Sequence, residues 1–368
     1  MTTGPSQAAA PRTRSEVARR VVRRLSDSPE IGIVLALIVT FTAFTIKNPL
    51  FASVSDLQNP LGIDLAGFGI LAIGESLAII TGGIDLSVGS LVAFFVVFSA
   101  WLNASEGVPV EFAFLLTILF GIAWGLWHGF LITKLGVAPF VATLVTFIFA
   151  VGADEAIAPN PIPIGSNTFL AVTGSSVAGV PIPVIVFLVI AIAAWVFLER
   201  TYVGRQLYAV GGNREAARLA GIRINRRIVL AYAVSGGCAA IVGIIEASRL
   251  TSGTADSVSG WELIAIASAV IGGVSLVGGQ GRIIGIVSGA ALLVVLRDGL
   301  VAINVNAYYQ SMVVGVALLI AIVTDRLRVR RLEHASRMVT RPDRSDAPPP
   351  QQTEPVAPQQ PEPASASN

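Results

Sequence analysis

Several acids stand inside apolar stretches, and they are the side chains of this sequence with the greatest chemical potential. They are Asp64, Glu75, Asp154, Glu155, Glu246 and Asp298. An ionisable group within an apolar span is costly, and it typically marks a proton or ion pathway or has a buried partner. Several of these acids fall near the ends of apolar runs, where water would solvate them, whereas Glu75 stands well inside its run. Glu75 is therefore the acid most typical of a pathway.

Residues suited to catalysis or metal binding do not converge in the sequence. The chain has one cysteine, Cys238, and two histidines, His128 and His334, without metal-ligand spacing. No group of His, Asp and Ser residues suggests an acid–base site. A phosphate-binding loop requires GxxxxGK[ST], and the only lysines, Lys47 and Lys134, do not stand in that pattern. We therefore predict no catalytic residue, no metal site and no cofactor on this chain.

The composition predicts an all-α, polytopic membrane protein. Of 368 residues, 54% are hydrophobic and 13% are charged, about half of the roughly 25% charged residues usual in soluble domains. A membrane span needs about 20 apolar residues. About ten segments qualify, several of them short enough to be bent: 30–46, 61–80, 87–102, 111–133, 138–157, 181–198, 228–248, 261–277, 283–301 and 307–324.

The placement of arginine predicts that both termini are cytoplasmic. With the basic leader inside, a ten-span path puts the arginines of 199–227 and those after residue 324 inside as well. The outer segments then carry only Lys47 and Arg249, with Arg297 near an outer helix end. This asymmetry is the one that the positive-inside rule describes.

The chain divides into three parts by composition. Residues 1–28 are a basic cytoplasmic leader, residues 29–328 are the transmembrane domain, and residues 329–368 are a cytoplasmic tail. The tail is rich in Pro, Gln and Ser and lacks apolar periodicity, which predicts disorder from about residue 340. The uncharged outer loop 158–181 contains prolines and glycines that predict no regular helix, and it is either a lid or a connector.

Two glycine-rich segments interrupt the apolar runs. In "TGGIDLSVGS" (81–90), Gly82 and Gly83 can end the arriving helix, and Asp85 or Ser87 can cap the next one. Irregular backbone at membrane depth persists only where it is buried in protein or lines a water-filled cavity. The break therefore either serves a transport path or is a cytoplasmic turn. The second segment contains Gly272, Gly273, Ser275, Gly278 and Gly279.

Other glycines indicate close helix packing. Gly121, Gly125 and Gly129 repeat at GxxxG spacing on one helix face. Packing within one bundle is favoured for this face over a dedicated dimer interface.

The basic loop 199–227 contains a short helical segment. Asn213 is a good N-cap, residues 214–220 favour helix, and Gly221 is suited to end it. Such a stub can bind anionic lipid, dock a partner, or only satisfy the positive-inside rule.

Three motifs in order resemble a known family over about residues 30–330. Glu215-Ala216-Ala217 followed by Gly221 resembles the EAA–three residues–G pattern with which permeases of ATP-binding cassette (ABC) importers dock on their ATPase. The segment "TGGIDLSVGS" and the pattern over 261–299 resemble those of ribose/xylose-type sugar permeases, as does "YYQSMVVGVALLIAIVTDR" at 308–326. The stretch 150–158 departs from the family, which usually has an Arg-Gly pair there.

This resemblance implies the membrane-spanning permease subunit of a bacterial monosaccharide importer in the cytoplasmic membrane. It implies a separate ATPase that carries ATP and Mg, an extracytoplasmic sugar-binding protein and a second permease copy, in contact with lipid and with no nucleic acid. A polyol, a nucleoside or a sugar-derived signal stays open as cargo. A proton-coupled transporter using Glu75 or the Asp154/Glu155 pair is the alternative mechanism.

The resemblance also assigns roles to residues. The residues assigned to the helix breaks near the transport path are Glu75, Gly82, Gly83, Asp85, Ser87, Gly272, Gly273, Ser275, Gly278 and Gly279. The residues assigned to coupling with the ATPase are Asn213, Glu215, Ala216, Ala217, Arg218 and Gly221.

Overall fold

The computed structural model describes residues 29–255, 257–306, 308–320 and 322–323. The predicted leader 1–28 and tail 329–368 lie outside these described residues, as does the end of the last predicted span. The described chain is almost entirely helical, so the all-α prediction is confirmed.

The first half of the described chain consists of six α-helices. Short turns join them, except that α2 and α3 are separated by Asn59 alone. They are α1 (Pro29–Lys47), α2 (Val54–Gln58) after a 3₁₀ turn (Pro49–Ala52), α3 (Pro60–Ile80), α4 (Val88–Ala100) with a π-helical turn (Trp101–Ser105), α5 (Val110–Lys134) and α6 (Pro139–Ile157).

The second half contains eight further helices and four two-residue strands. The helices are α7 (Asn167–Gly174), α8 (Ile182–Trp195) with a π-helical turn (Val196–Arg200), α9 (Tyr202–Gly212), α10 (Arg214–Leu219), α11 (Ile224–Leu250), α12 (Trp261–Ile271), α13 (Ile283–Ala302) and α14 (Tyr308–Ile320). Strand β1 (Ile162–Pro163) pairs antiparallel with β4 (Ser252–Gly253), and β2 (Ser176–Val177) pairs with β3 (Val180–Pro181).

Seven helical segments within the described residues are long and apolar enough to cross a membrane. They coincide with seven of the predicted spans, and α1, α12 and α14 are shorter apolar helices at the other three positions. The predicted span 261–277 is wrong in its second half, because α12 ends at Ile271. The chain turns there at Gly272 and at Gly273, whose φ of +87° is a left-handed conformation that ends a helix.

The core is built around α3 and α11. Every residue of α3 from Leu61 to Ile80 is buried except Leu65, as expected for a helix that is apolar all round. Helix α11 packs along α5 and against α3 and α4. The apolar faces of α5, α6 and α8 remain exposed in this single chain, with Phe112, Ile148 and Val189 each more than half exposed.

Glycine brings α5 and α11 into backbone contact. A Cβ on Gly125 would lie 2.6 Å from Ala233 Cα, and one on Gly129 would lie 2.7 Å from Val229 Cα. Gly121 faces Gly236 in the same way. The GxxxG face of α5 is therefore used inside the bundle.

The segment 158–181 contains a regular helix, so the prediction of none there is wrong. The hydroxyl of Ser166 caps α7 by accepting from Phe169 N at 3.4 Å. The buried Phe169 ring meets Phe114 edge-on at 4.8 Å. Thr173 N donates to Ser248 Oγ at 3.1 Å. A good N-cap and an aromatic anchor thus offset the helix-breaking residues on either side.

Substitution of Gly125 by valine should separate α5 from α11. Overpacking of a filled core costs about 1–3 kcal/mol, and here the added methyl groups meet backbone that cannot rotate away. We expect a lower midpoint of thermal unfolding for the detergent-purified protein. Gly152→Val is the matched control, because nothing lies within 4 Å of a Cβ at Gly152. Equal midpoints for the two variants would contradict the packing described for α5 and α11.

Candidate functional site

The first helix break lies between α3 and α4. Helix α3 ends at Ile80, and Gly82 follows with φ +80°. A Cβ on Gly83 would overlap the hydroxyl oxygen of Tyr232, so glycine leaves room for that hydroxyl. The expected capping of α4 by Asp85 or Ser87 is wrong, because Ser87 is the N-cap residue and makes no side-chain cap hydrogen bond. Asp85 instead accepts from the N–H of Ser87, which precedes the first residue of α4.

Asp85 is instead a fully buried hydrogen-bond acceptor. Its Oδ1 accepts from Ser87 N at 3.1 Å and from Ser87 Oγ at 2.5 Å, and its Oδ2 accepts from Ser235 Oγ at 3.0 Å. His128 Nδ1 lies 4.0 Å from the same Oδ2. Glu75 is also fully buried, and its Oε1 accepts from Asp85 N at 3.1 Å. These two acids therefore hold the break from inside the protein.

Residues from three helices complete this buried polar cluster. Thr143 Oγ1 on α6 accepts from Leu86 N at 3.2 Å, and the Tyr232 hydroxyl on α11 donates to Ile84 O at 3.4 Å. Thr146 Oγ1 lies 2.8 Å from His128 Nε2. Sequence reasoning missed these partners, although the polar pairs 143/146 and 232/235 recur at helical spacing and are a usable signal. The break thus joins five helices, α3, α4, α5, α6 and α11.

The second glycine segment, 272–281, lies directly against the first. Gly279 N donates to Ile80 O at 2.9 Å, which satisfies a carbonyl at the end of α3. A Cβ on Gly278 would lie 3.0 Å from Gly82 N. Within the segment, Ser275 N donates to Gln280 O and Ser275 O accepts from Gly278 N. The two breaks, almost 200 residues apart in sequence, form one structural unit.

The end of α9 is a third glycine element in this unit. A Cβ on Gly211 would lie 2.6 Å from Gly279 N, so the two backbones touch. The Tyr208 hydroxyl donates to Gly281 O at 2.9 Å. Burial, together with the nearby Glu199 carboxylate, raises the pKa of Tyr208 to about 12, so the hydroxyl stays a donor at neutral pH. Sequence reasoning did not single out Gly211.

The predicted stub forms helix α10. Asn213 Oδ1 accepts from Ala216 N at 2.9 Å, and Gly221 follows with φ +74°. Ala217 is buried, whereas Glu215 and Arg218 are about two-thirds exposed and lie 3.3 Å apart. The stub therefore presents a charged face to the outside of the chain and is anchored by a small apolar one.

A side chain links the stub to the first break. Arg214, the first residue of α10, donates from Nη2 to Thr81 O at 3.3 Å. Thr81 is the C-cap residue of α3 and directly precedes Gly82. A displacement of α10 would therefore be transmitted to the end of α3 through this hydrogen bond and through the backbone contacts of the α9 glycines.

Asp64, Asp154 and Glu246 are buried, so the prediction that water solvates acids near span ends is wrong for these three. Asp64 pairs with Arg249, which also lies 3.5 Å from Glu246 Oε1. Asp154 is buried, and Glu155 is exposed. Helix ends at membrane depth are thus covered by neighbouring helices. No group of three or more His, Cys, Asp or Glu side chains among the described residues is placed to hold a metal ion.

The family is identified by comparison with known proteins. Residues 63–322, well over half of the chain, match the family of permease components described as the branched-chain amino acid transport system. The chain belongs to this family of ABC transporter permeases and is a multi-pass protein of the bacterial inner membrane. No solved structure matches the chain.

Within that family the chain is similar to sugar permeases, as the motifs predicted. It is 37% identical over 300 residues to the ribose import permease protein RbsC of Bacillus subtilis, covering 81% of this chain and 92% of the relative. It is 36% identical over 296 residues to RbsC of Escherichia coli K12, covering 79% and 92%. The D-allose transport system permease protein AlsC of E. coli K12 is 36% identical over 259 residues, covering 70% and 79%.

Removal of the Asp85 carboxylate should destabilise the break. A hydrogen bond to a charged group contributes about 1.5–3 kcal/mol, and Asp85→Ala leaves buried donors unpaired. We expect Asp85→Ala to lower the midpoint of thermal unfolding more than Ser235→Ala does. The two substitutions share one bond, so the double variant should lose less than the sum of the singles. Strict additivity would show that Ser235 and Asp85 do not interact.

Proposed function

We propose that this chain is the membrane-spanning subunit of an importer that moves a monosaccharide inward and is driven by ATP hydrolysis on a separate chain. Its similarity to ribose and D-allose permeases supports a sugar as cargo. An extracytoplasmic binding protein delivers the sugar, and two permease copies enclose the path.

The observation that carries this proposal is the connection from α10 to the helix breaks. Helix α10 offers Glu215 and Arg218 on an exposed face, together with Leu219, which is 82% exposed. None of these three side chains is covered by the rest of the described chain, so this face of α10 is free to contact another protein. Behind that face, Arg214 and the glycines of α9 reach both breaks.

The connection supports a mechanical role for the breaks. Closure of the ATPase moves α10 and α9, and the backbone contacts pass that movement to the ends of α3 and α12. Because glycine pairs leave no side chains between these segments, they move together. The breaks act as hinges between packed helices, and Asp85 and Glu75 keep the backbone of the first break hydrogen-bonded as it moves.

Charge reversal on α10 should uncouple the two subunits. We expect Glu215→Arg, reconstituted with the ATPase and binding protein, to lower sugar uptake by at least about tenfold, because truncation of an interfacial charge pair costs about 2 kcal/mol or more. Glu106→Arg, an equal reversal at an exposed site in the turn after α4, should import normally. Uptake by this chain alone, driven by a proton gradient, would overturn the proposal in favour of a secondary transporter.

We further propose the ten-span path with both termini cytoplasmic. It places the turn after α4 outside and α10 inside. In right-side-out vesicles, a membrane-impermeant thiol reagent should label Ser105→Cys and spare Leu219→Cys until the membrane is permeabilised. Cys238 is buried and is the single native cysteine, so background labelling is low. The opposite labelling pattern would reverse the path.

A further inference from the structure

A cavity of about 320 Å³ lies between the start of α12, the end of α13 and α14. This volume is at the lower end of the roughly 300–1,000 Å³ found for small-molecule sites. On the proposed path these three helix ends face outward, so the cavity lies on the side from which a binding protein delivers sugar. It is separate from the glycine unit, which on that path lies at the inner ends of α3 and α12.

The cavity wall combines an aromatic ring with hydrogen-bonding groups. Trp261 and Arg297 contribute from α12 and α13, and Gln310 and Ser311 contribute from α14. Gln310 Nε2 donates to Val305 O at 2.8 Å, which holds this side chain in place. A monosaccharide has the matching chemistry, since its hydroxyls bind polar side chains and its C–H face packs on an aromatic ring.

Arg297 is held in place but incompletely satisfied. Its guanidinium carbon lies 5.3 Å over the Phe68 ring, and Phe68 in turn packs on Trp261 with 4.5 Å between ring centroids. Nη1 is buried and has no hydrogen-bond partner among the described residues. An unpaired buried donor is costly, so a shift of the Arg297 side chain that brought Nη1 to a hydroxyl in the cavity would gain a hydrogen bond.

Among the described residues, no close contact with a neighbouring helix requires glycine at position 315, where the small residue leaves the cavity open. Gly315 lines the cavity, and nothing lies within 4 Å of the position of its Cβ. The glycines of α5, by contrast, are in contact with the backbone of α11. Glycine in a helix costs about 1 kcal/mol relative to alanine, and at Gly315 no helix contact offsets that cost.

We propose that this cavity is a sugar-binding subsite of the import path. The side chains of Trp261, Arg297, Gln310 and Ser311 contact the sugar, and Gly315 keeps the cavity open. This inference rests on the proposed function, because it identifies the occupant as the imported monosaccharide.

The first test fills the cavity. In proteoliposomes containing the ATPase and binding protein, Gly315→Leu should lower sugar uptake at least about tenfold, while ATP hydrolysis continues. Gly152→Leu, which also adds a side chain at an open helical position, should leave both unchanged. Normal uptake by Gly315→Leu would overturn the subsite. Failure of the unsubstituted chain to import would instead overturn the proposed function.

The second test does not depend on uptake. Gly315→Cys should react with a membrane-impermeant thiol reagent, and D-ribose or D-allose should slow that reaction, whereas glycine should not. A cysteine at Ser105, exposed in the turn after α4, should react equally with and without sugar. Because this test needs only the folded chain, it also decides the case in which Gly315→Leu does not fold. Absence of labelling, or labelling that neither D-ribose nor D-allose slows, would overturn the subsite.

Discussion

Every interruption of a helix inside this bundle must satisfy the backbone groups that it frees, since hydrocarbon offers them no partner. The structure meets this constraint by bringing the interruptions together. The carbonyl of Ile80 at the end of α3 accepts from Gly279 of the second segment, and Gly211 of α9 packs against both. Side chains supply the rest, with Glu75 and Asp85 accepting from the backbone of the first break. Most other contacts of this region follow from that arrangement.

Burying two acidic side chains in such a place is expensive unless their polar atoms are hydrogen-bonded. Asp85 accepts two hydroxyl bonds and one N–H bond and lies beside His128, whereas Glu75 is bonded through one oxygen only. This difference gives the acids different parts in the fold. Asp85 ties α4 to α11, and Glu75 steadies the loop from α3. An acid alone in an apolar span is typical of a proton pathway, but here the location of Glu75 is also explained by the loop it holds.

The same packing connects the stub α10 to the helix breaks. On its own, α10 is a helix of six residues with an exposed charged face. Arg214 connects it to the end of α3, and α9 connects it to the second glycine segment. A short element can thereby act on the ends of α3 and α12. The cavity at Trp261 and Arg297 lies at the opposite ends of α12 and α13 from the second glycine segment, so the proposed sugar binding and the proposed movement of the stub involve the same helices.

The sequence by itself determined the local features of this protein. Apolar length placed the long helices, glycine ended α3, and Asn213 capped the stub, because each depends on neighbouring residues alone. Three distant motifs also sufficed for the family. Only the tertiary structure decided that Asp85 binds Ser235 rather than capping α4, that Asp64 and Glu246 are buried beside Arg249, and that 158–181 contains a helix. It also decided that the glycine segments at 82, 211 and 278 touch. These outcomes depend on how helices far apart in sequence pack, and hydropathy carries no information about which faces meet.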